Sequence, residues 1–249
     1  MGQDDLKREV DRADPVTWAW VAEELASGVV SGLGSQIVAQ IANGNTSIAT
    51  LVANFVANVQ TIVHHEIEED RVRAVIASCN SLQDLMTIYV NSQDRQYILP
   101  MQIRASDIVN ESASLGFPAC ASFAISGGVM LTLLHDVYNH QNTPGNMANI
   151  VTYARTLFQR HDDLLWSLWR FNNGRFSSCY TDIHSEFWRY TLDGEVIDTE
   201  FIWLNHGSEQ QAERVRRLHR NAEYQRIEAT TLVPMRDAVI QWRQIGYGS

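Results

Sequence analysis

The sequence predicts a mainly α-helical protein: a six- to seven-helix bundle with a central apolar helix and a small β-hairpin insertion near 186–203. Three observations predict this fold. Apolar residues recur at three- and four-residue spacing through most of the chain, as in helices that bury one face. Segment 117–134 is apolar on all sides, which is typical of the innermost helix of a bundle. Segment 187–203 instead concentrates aromatic and β-branched residues around the turn signal Asp193-Gly194.

The bulk properties are those of one globular domain. The chain has 249 residues, which we interpret as a single domain over 1–249 with a hairpin insertion at 176–206. The net charge of −10 argues against a nucleic-acid partner, because nucleic-acid binding needs a basic surface. Residues 1–15 are charged throughout and contain no secretory signal, so we expect a protein that is soluble in the producing cell or released without a signal peptide.

The N-terminal part predicts two helices with few charges. The first is expected from Val16 to about Ala42, and the second begins after a cap at Thr46. The glycines that can interrupt the first helix are Gly28, Gly32 and Gly34. No charged residue occurs from Leu25 to Val63. This stretch is either a hairpin buried deep in the bundle or a segment that leaves water at low cost, and the sequence leaves both interpretations open.

A helix over 101–116 carries its polar residues on one side. These residues are Arg104, Asp107, Glu111 and Ser114. Their spacing places them in a single stripe, which can face water in a bundle or line a water path in a membrane. Gly116-Phe117-Pro118 then forms a short turn into the central helix. The apolar residues predicted to form that helix are Phe123, Ile125, Met130, Leu131 and Leu134.

The uncharged run that contains this turn has the length of a membrane-spanning segment. It extends from Ser112 to Leu134, about the length that crosses the hydrocarbon core of a bilayer. The chain continues with an amphipathic helix over 146–172, the hairpin, and a last helix over 208–244 that Pro234 kinks or ends. The aromatic residues of the hairpin are candidates for a partner contact: Trp188, Tyr190, Phe201 and Trp203.

No metal, cofactor or catalytic site is predicted. His64 and His65 stand beside acidic residues, but neighbouring residues on a helix do not converge on one ion. Asp162 and Asp163 lack the further carboxylate with which two helical turns would share a magnesium ion. The cysteines, which match no zinc-binding spacing, are Cys79, Cys120 and Cys179. We therefore expect a protein that is not an enzyme.

Several segments, in their order along the chain, resemble those of one protein family. They are the run Glu66-Ile67-Glu68-Glu69 followed by Leu82, Leu85 and Tyr89; Leu133-Leu134-His135-Asp136-Val137; Leu168 to Gly174; and Tyr224 to Trp242 with Arg226 to Leu232. Together they resemble the N-terminal helical pore-forming domain of the three-domain insecticidal crystal toxins, the delta-endotoxins. The resemblance covers nearly all of the chain at low identity.

The resemblance implies a mechanism in which the fourth and fifth helices of a bundle insert into a target-cell membrane as a hairpin and oligomerise. It implies that Arg104, Asp107, Glu111 and Ser114 line the pore and that Gly116, Phe117 and Pro118 form the hairpin turn. A monomer or small oligomer is expected in solution. The recognition partner would be a protein receptor or a separate receptor-binding chain, because the sequence ends where the family's β-rich domains begin.

This sequence departs from the family pattern in the hairpin at 176–206, in Pro234, and in His135 where arginine is usual. Two other functions therefore remain open. The first is a non-enzymatic scaffold that binds a partner through the aromatic hairpin. The second, ranked last, is an all-α enzyme that uses His64, His65, His161, Asp162 or Asp163.

Overall fold

The protein was analysed as a computed structural model, which describes residues 17–31, 34–43, 47–63, 69–180, 187–201 and 208–248. These residues form a helical bundle with one small sheet, which confirms the predicted fold class. Its α-helices are α1 (Trp18–Ser31), α2 (Gly34–Asn43), α3 (Ile48–Val63), α4 (Glu69–Ser92), α5 (Ile98–Leu115), α6 (Cys120–Gln141), α7 (Pro144–Arg175), α8 (Ser208–Thr231) and α9 (Arg236–Tyr247). Short 3₁₀ turns lie at Arg95–Tyr97, Phe117–Ala119 and Val233–Met235.

The described residues contain more helices than the six or seven predicted, because two predicted helices are each divided. The first predicted helix becomes α1, which ends at Ser31, and α2, which begins at Gly34. The last becomes α8 and α9, because Pro234 lies in the 3₁₀ turn between them. Proline ends a helix by lacking an amide donor and by clashing with the preceding turn.

Side-chain caps fix where two of the helices begin. Ser47 caps α3, since its Oγ accepts a hydrogen bond from the backbone N–H of Thr50 at 3.0 Å. The predicted cap, Thr46, lies outside the described residues. Thr143 Oγ1 accepts from the N–H of Asn146, and α7 therefore begins at Pro144, two residues before the predicted start. Both arrangements satisfy amide groups that have no partner within the helix.

Helix α6 occupies the centre of the bundle. It contacts α1, α2, α3, α4, α5 and α7, and the ring of its Phe123 packs edge-on against Trp242 of α9 at a centroid distance of 5.8 Å. Phe123, Ile125 and Leu131 are fully buried, whereas Met130 and Leu134 are partly buried. The prediction of a central apolar helix is therefore confirmed.

Two glycines let neighbouring helices approach α6 closely. A Cβ atom added to Gly127 would lie 2.8 Å from Leu157 Cδ2 on α7. One added to Gly128 would lie 2.7 Å from Leu25 Cβ on α1. A terminal methyl group can rotate away, but a Cβ atom moves only with its backbone. The α1–α6 contact is therefore the stiffer of the two.

The predicted hairpin is present and has a third strand. Strands β1 (Phe176–Tyr180), β2 (Phe187–Leu192) and β3 (Glu195–Phe201) form an antiparallel sheet in the order β1-β2-β3. Asp193 and Gly194 have φ angles of 54° and 85°, as a tight hairpin turn requires. β1 follows α7 without a loop. It was not predicted from the sequence because the strand has only five residues.

Substitution of Gly128 by alanine should destabilise the bundle. The added methyl group meets Leu25 Cβ, and overpacking of this kind costs about 1–3 kcal/mol, which exceeds the gain of about 1 kcal/mol in helix propensity. Gly174→Ala is the matched control, since nothing lies within 4 Å of its added Cβ. Urea denaturation should give a lower midpoint for Gly128→Ala and an equal or higher midpoint for Gly174→Ala. Equal midpoints for both would show that α1 is free to shift.

Candidate functional site

The candidate site is the α5–α6 hairpin, which we define as residues 98–141. Its turn begins at Gly116, whose φ of 82° favours glycine, and the Gly116 N–H donates to the carbonyl of Ser112 at 3.0 Å. A Cβ at Gly116 would lie 2.5 Å from Ser167 Oγ on α7. Glycine is thus required here both by backbone conformation and by the close approach of α7.

The hairpin turn is buried and is held by α7. The N–H of Phe117 donates to Ser167 Oγ at 2.7 Å, and that hydroxyl donates to the carbonyl of Leu164 at 2.7 Å. The rings of Phe117 and Phe171 pack at a centroid distance of 5.2 Å. The tip of the hairpin therefore lies inside the bundle in this conformation, and α7 must move before the tip can reach another surface.

Most polar side chains buried in the hairpin find their partners within the hairpin itself. Ser112 and Ser122 share a hydrogen bond between their hydroxyls at 2.7 Å, across the two helices. Ser122 Oγ also donates to the carbonyl of Ala119. Thr132 Oγ1 donates to the carbonyl of Gly128 one turn earlier, at 3.0 Å. Ser126 Oγ is the exception in residues 98–141, as a buried hydroxyl with no partner.

The dimensions of the hairpin match a bilayer. Helix α6 has 22 residues and therefore extends about 33 Å at 1.5 Å per residue. Helix α5 has 18 residues, or about 27 Å. The hydrocarbon core of a typical bilayer is about 30 Å thick. Among the described residues, one helix is long and apolar enough to cross a membrane: Phe117–Gln141, with a mean hydropathy of 1.7 in its most apolar 18-residue window.

The structure places the predicted polar stripe at the contact between α5 and α4. Asp107 and Ser114 are exposed, while Arg104 and Glu111 are partly buried. Asp107, Glu111 and Ser114 line a groove of about 470 Å³ whose opposite wall is formed by Ala74, Val75 and Ser78 of α4. The stripe thus borders water along one side of the bundle.

An arginine on α4 pairs with the C-terminal half of the polar stripe, Glu111 and Ser114. Arg71 Nη2 lies 2.9 Å from Glu111 Oε1, and it also donates to Ser114 Oγ. Beside the stripe, Arg160 of α7 donates to the side-chain carbonyl of Asn110. These polar contacts bind α5 to α4 and α7, and all of them are at or near the surface, where ion pairs are weak.

The apolar face of α5 differs in one respect from the predicted pattern. Ala105, Ile108 and Val109 are buried as predicted, but Ile103 is 55% exposed and Leu99, four residues earlier, is 63% exposed. The first two turns of α5 therefore present aliphatic side chains to solvent. This part of α5 directly follows the Arg95–Tyr97 turn.

Two of the four aromatic residues predicted to contact a partner, Trp188 and Tyr190, pack against α8 instead. Tyr190 is fully buried and packs with Trp188 against Ala212 and Val215 of α8, so it is not available to a partner. Trp203 and the side chain of Phe201 lie outside the described residues. Alternation along a strand explains the correction, because one face of β2 covers α8.

Exposed aromatic side chains occur instead on α7. Trp166 is 58% exposed and Trp169 is 50% exposed, and their rings meet edge to face at 5.5 Å. This pair was not predicted from the sequence. The i, i+3 spacing, together with Asp162 and Asp163 beside it, was the available signal for an outward-facing position.

The most extensive polar network was not predicted from the sequence, and Arg175 is at its centre. Only 6% of the Arg175 side chain is exposed, and its Nε lies 3.0 and 2.9 Å from the two carboxylate oxygens of Asp193 in the β2–β3 turn. Its Nη1 donates to Glu223 of α8 at 3.2 Å. Its guanidinium also lies 5.0 Å from the ring centroid of Phe171. Arg175 thus joins α7, the sheet and α8.

The same network caps the C-terminal end of α3. Arg175 Nη2 donates to the carbonyl of Val63 at 3.0 Å, and Arg226 Nη2 donates to the carbonyl of Ile62 at 2.8 Å. Arg226 is in turn held by Glu223, at 2.7 Å. The last carbonyls of a helix lack partners within it and carry partial negative charge, so two guanidinium groups satisfy and stabilise this end.

Three ionisable groups lose their stabilising contribution to the fold as the pH falls. Burial raises the pKa of Glu223, but the hydrogen bonds and charges of Arg226 and Arg175 outweigh burial and hold the pKa below its usual value of 4.5. Burial lowers the pKa of His161 and of His135 below 6.5, against the opposing charges of Asp162 and Asp136. A lowered pKa in the folded state means that protonation favours unfolding.

The described residues offer little for catalysis. They contain no group of three or more histidine, cysteine or acidic side chains placed to bind a metal ion. Burial raises the pKa of Cys79 to about 12 and that of Cys120 well above its usual value, so both thiols remain protonated. His64 and His65 lie outside the described residues, as does the side chain of Cys179.

Replacement of Arg175 by methionine should destabilise the protein by about 3 kcal/mol, because it leaves buried acceptors without their cation. Urea denaturation at neutral pH measures the change. Arg73→Met is the control, since the Arg73 side chain is 69% exposed and lies 3.5 Å from the 98% exposed carboxylate of Asp70. A loss for Arg175→Met no larger than that for Arg73→Met would contradict the central role of Arg175.

The fold should weaken progressively as the pH falls. The contributions of His161 and His135 are fully present above about pH 6.5 and are lost as pH falls through their lowered values. The contribution of Glu223 is present above about pH 4.5 and is lost at more acidic pH. Urea midpoints measured in steps from neutral to acidic pH should decrease. Glu223→Gln should be less stable at neutral pH and lose less than wild type below pH 4.5, and an unchanged acid loss would exclude Glu223 as its source.

Comparison with known proteins provides no family for this arrangement. No protein-family model matches the chain, and it has no match among curated proteins or among solved structures.

Proposed function

We propose that this protein permeabilises membranes by inserting the α5–α6 hairpin into a target bilayer and oligomerising there, as the resemblance to the delta-endotoxin pore-forming domain implies. The bundle is then the water-soluble form, in which the other helices cover α6. The polar stripe of α5 lines the water path, and the uncharged faces of the hairpin contact lipid.

The observation that carries this proposal is the internal hydrogen bonding of the hairpin. A polar group that enters hydrocarbon without a partner costs several kcal/mol, so a segment that transfers cheaply must satisfy its own groups. The Ser112–Ser122, Ser122–Ala119 and Thr132–Gly128 hydrogen bonds all lie within residues 98–141 and need not break on transfer. The hairpin can therefore leave the bundle as a preformed unit.

Few specific polar contacts oppose departure of α6. At its start, Cys120 Sγ donates to the carbonyl of Thr231 on α8 at 3.1 Å, and the turn is held by the hydrogen bond between Phe117 and Ser167. Near its C-terminal end, Asp136 accepts a hydrogen bond from the Tyr89 hydroxyl of α4 at 3.1 Å and lies 3.7 Å from Arg95 Nη2. Between these two ends, the side chains that α6 buries are mostly apolar. Lipid can replace such packing, whereas water cannot, so insertion is favourable only where a membrane is present.

The polar stripe supplies the groups that a water path requires. Charged side chains are tolerated at membrane depth when they line an aqueous cavity. Asp107 is already exposed, and Glu111 and Ser114 would become available when α5 separates from Arg71 on α4. With Arg104, the stripe carries one positive and two negative side chains, which favours cations in the path.

The proposal predicts release of trapped dye from liposomes and cation-selective conductance in planar bilayers. Asp107→Lys changes the stripe from one excess negative charge to one excess positive charge per copy, so the selectivity should shift towards anions. Asp107 is exposed and has no described ion pair, so the substitution leaves the soluble fold intact. Reversal potentials in a salt gradient measure the shift.

Asp237→Lys is the matched control, because Asp237 is an exposed carboxylate on α9, outside the hairpin. It should retain the selectivity of the wild type. Equal selectivity in all three proteins would remove α5 from the lumen. Absence of dye release and conductance from folded wild-type protein, across acidic to alkaline pH and across neutral and anionic lipids, would count against permeabilisation itself.

A partner-binding scaffold is the second candidate, and the exposed aromatic pair on α7 favours it. Trp166 and Trp169 form an apolar contact surface that the buried Tyr190 cannot. Substitution of both by serine should abolish binding to a protein partner in this scheme and leave the selectivity of a pore unchanged. The two candidates therefore respond to different substitutions.

A further inference from the structure

Helix α8 has an exposed face with no acidic residue over four turns. Its members are Gln210, Gln211, Arg214, Arg217, Leu218, Asn221 and Gln225, and each of them is exposed. We call this face the α8 stripe. At 100° per residue these positions fall on one side of the helix. Such a face is unexpected in a chain whose net charge is −10.

Two carboxylates of α8 lie between Gln210 and Gln225, and both are engaged in ion pairs. Glu213 pairs with Arg216, and Glu223 pairs with Arg175 and Arg226. Arg214 and Arg217 make no ion pair or side-chain hydrogen bond among the described residues. Four of the seven residues from Arg214 to Arg220 are arginine, so this part of the surface is locally basic.

The opposite side of α8 contacts the sheet and α7, so the α8 stripe faces solvent. His219 Nε2 lies 2.8 Å from Asp198 of β3, and its ring contacts Tyr190. The carbonyl of Arg220 accepts a hydrogen bond from Asn172 of α7 at 2.8 Å. The helix cannot rotate to bury Arg214 or Arg217 without breaking these contacts.

An apolar side chain lies among the arginines. Leu218 is 62% exposed and lines a shallow groove of about 530 Å³ with Gln210, Gln211, Arg214 and Val215. A leucine flanked by guanidinium and amide groups suits a bilayer surface, where the aliphatic chain enters the interface while the arginines remain at the phosphates. An acidic protein would satisfy the arginines but gives no reason for the leucine.

We propose that the α8 stripe docks the protein on anionic lipid headgroups, with Arg214 and Arg217 at the phosphates and Leu218 in the interface. This inference rests on the proposed function, because it supplies the step before the hairpin inserts. The overall negative charge does not prevent docking, because at physiological salt the field of distant carboxylates is screened within about 8 Å. The local positive charge of the α8 stripe therefore determines whether the protein docks on an anionic membrane.

Vesicle cosedimentation tests the proposal with the full chain and no other ligand. Wild-type protein should bind vesicles of mixed phosphatidylcholine and phosphatidylglycerol and bind pure phosphatidylcholine vesicles much less. The double variant Arg214→Gln/Arg217→Gln should bind the anionic vesicles roughly ten- to thirtyfold more weakly, as expected for two basic residues near a charged surface. Leu218→Ser should weaken binding to both kinds of vesicle.

The control is Arg170→Gln/Arg243→Gln, which removes the same charge from exposed positions on α7 and α9. It should bind like the wild type. Equal weakening in the two double variants would overturn the proposal, because net charge alone would then explain binding. Equal binding of wild type to neutral and anionic vesicles would overturn it as well.

Dye release from the same vesicles separates docking from permeabilisation. Loss of binding in Arg214→Gln/Arg217→Gln supports the α8 stripe whether or not the wild type releases dye. Release by the wild type that persists undiminished in this variant at equal protein concentration would contradict docking through α8 while leaving the proposed function in place. Circular dichroism verifies that each variant remains folded.

Discussion

The burial of α6 determines the arrangement of the other helices. A helix that is apolar on every side is stable in water only when neighbours cover its whole circumference. Among the described residues, α1 to α5 and α7 pack along it, and Trp242 of α9 covers Phe123 near its beginning. Each surrounding helix therefore needs only one apolar face, which is the pattern that most of the sequence displays. Gly127 and Gly128 set how closely α7 and α1 approach α6, so these two glycines determine the spacing of both helices from the central helix.

Arg175 joins the helices and the sheet through polar contacts, as α6 joins the helices through apolar packing. It stands where α3 and α7 end and where the sheet turns, so backbone carbonyls and carboxylates converge on one point. A buried charge stabilises a structure only when its hydrogen-bonding groups are nearly all engaged, and Arg175 meets that condition with three partners and an aromatic ring. The sheet, which departs from the delta-endotoxin pattern, is thereby joined to the bundle through Asp193. Glu223 makes this junction sensitive to acid, since its protonation removes one of the three partners.

The sequence predicts the parts of this structure that depend on periodicity. The central helix, the turn at Gly116, the stripe on α5 and the β2–β3 turn at Asp193 follow from spacing and turn chemistry. Other features depend on contacts between distant segments, which no local pattern encodes. The hydrogen bond of Ser167 to Phe117 joins residues 50 apart, and that of Arg175 to Val63 joins residues 112 apart. The burial of Tyr190 belongs to the same class, because it depends on where α8 returns. The exposed face of α8 was visible as a run of arginines, but its outward orientation follows only from the residues that anchor the other side.

The length of α7 has a consequence for timing. With 32 residues, about 48 Å, it is the longest helix in the described part of the chain. Along it, Arg155 holds the carbonyl of Gly246, Ser167 holds the hairpin tip, and Arg175 holds the end of α3. A rigid helix cannot release one of these points without straining the others, so their loss is cooperative. Detachment of α7 therefore faces an activation barrier that reflects all three contacts at once.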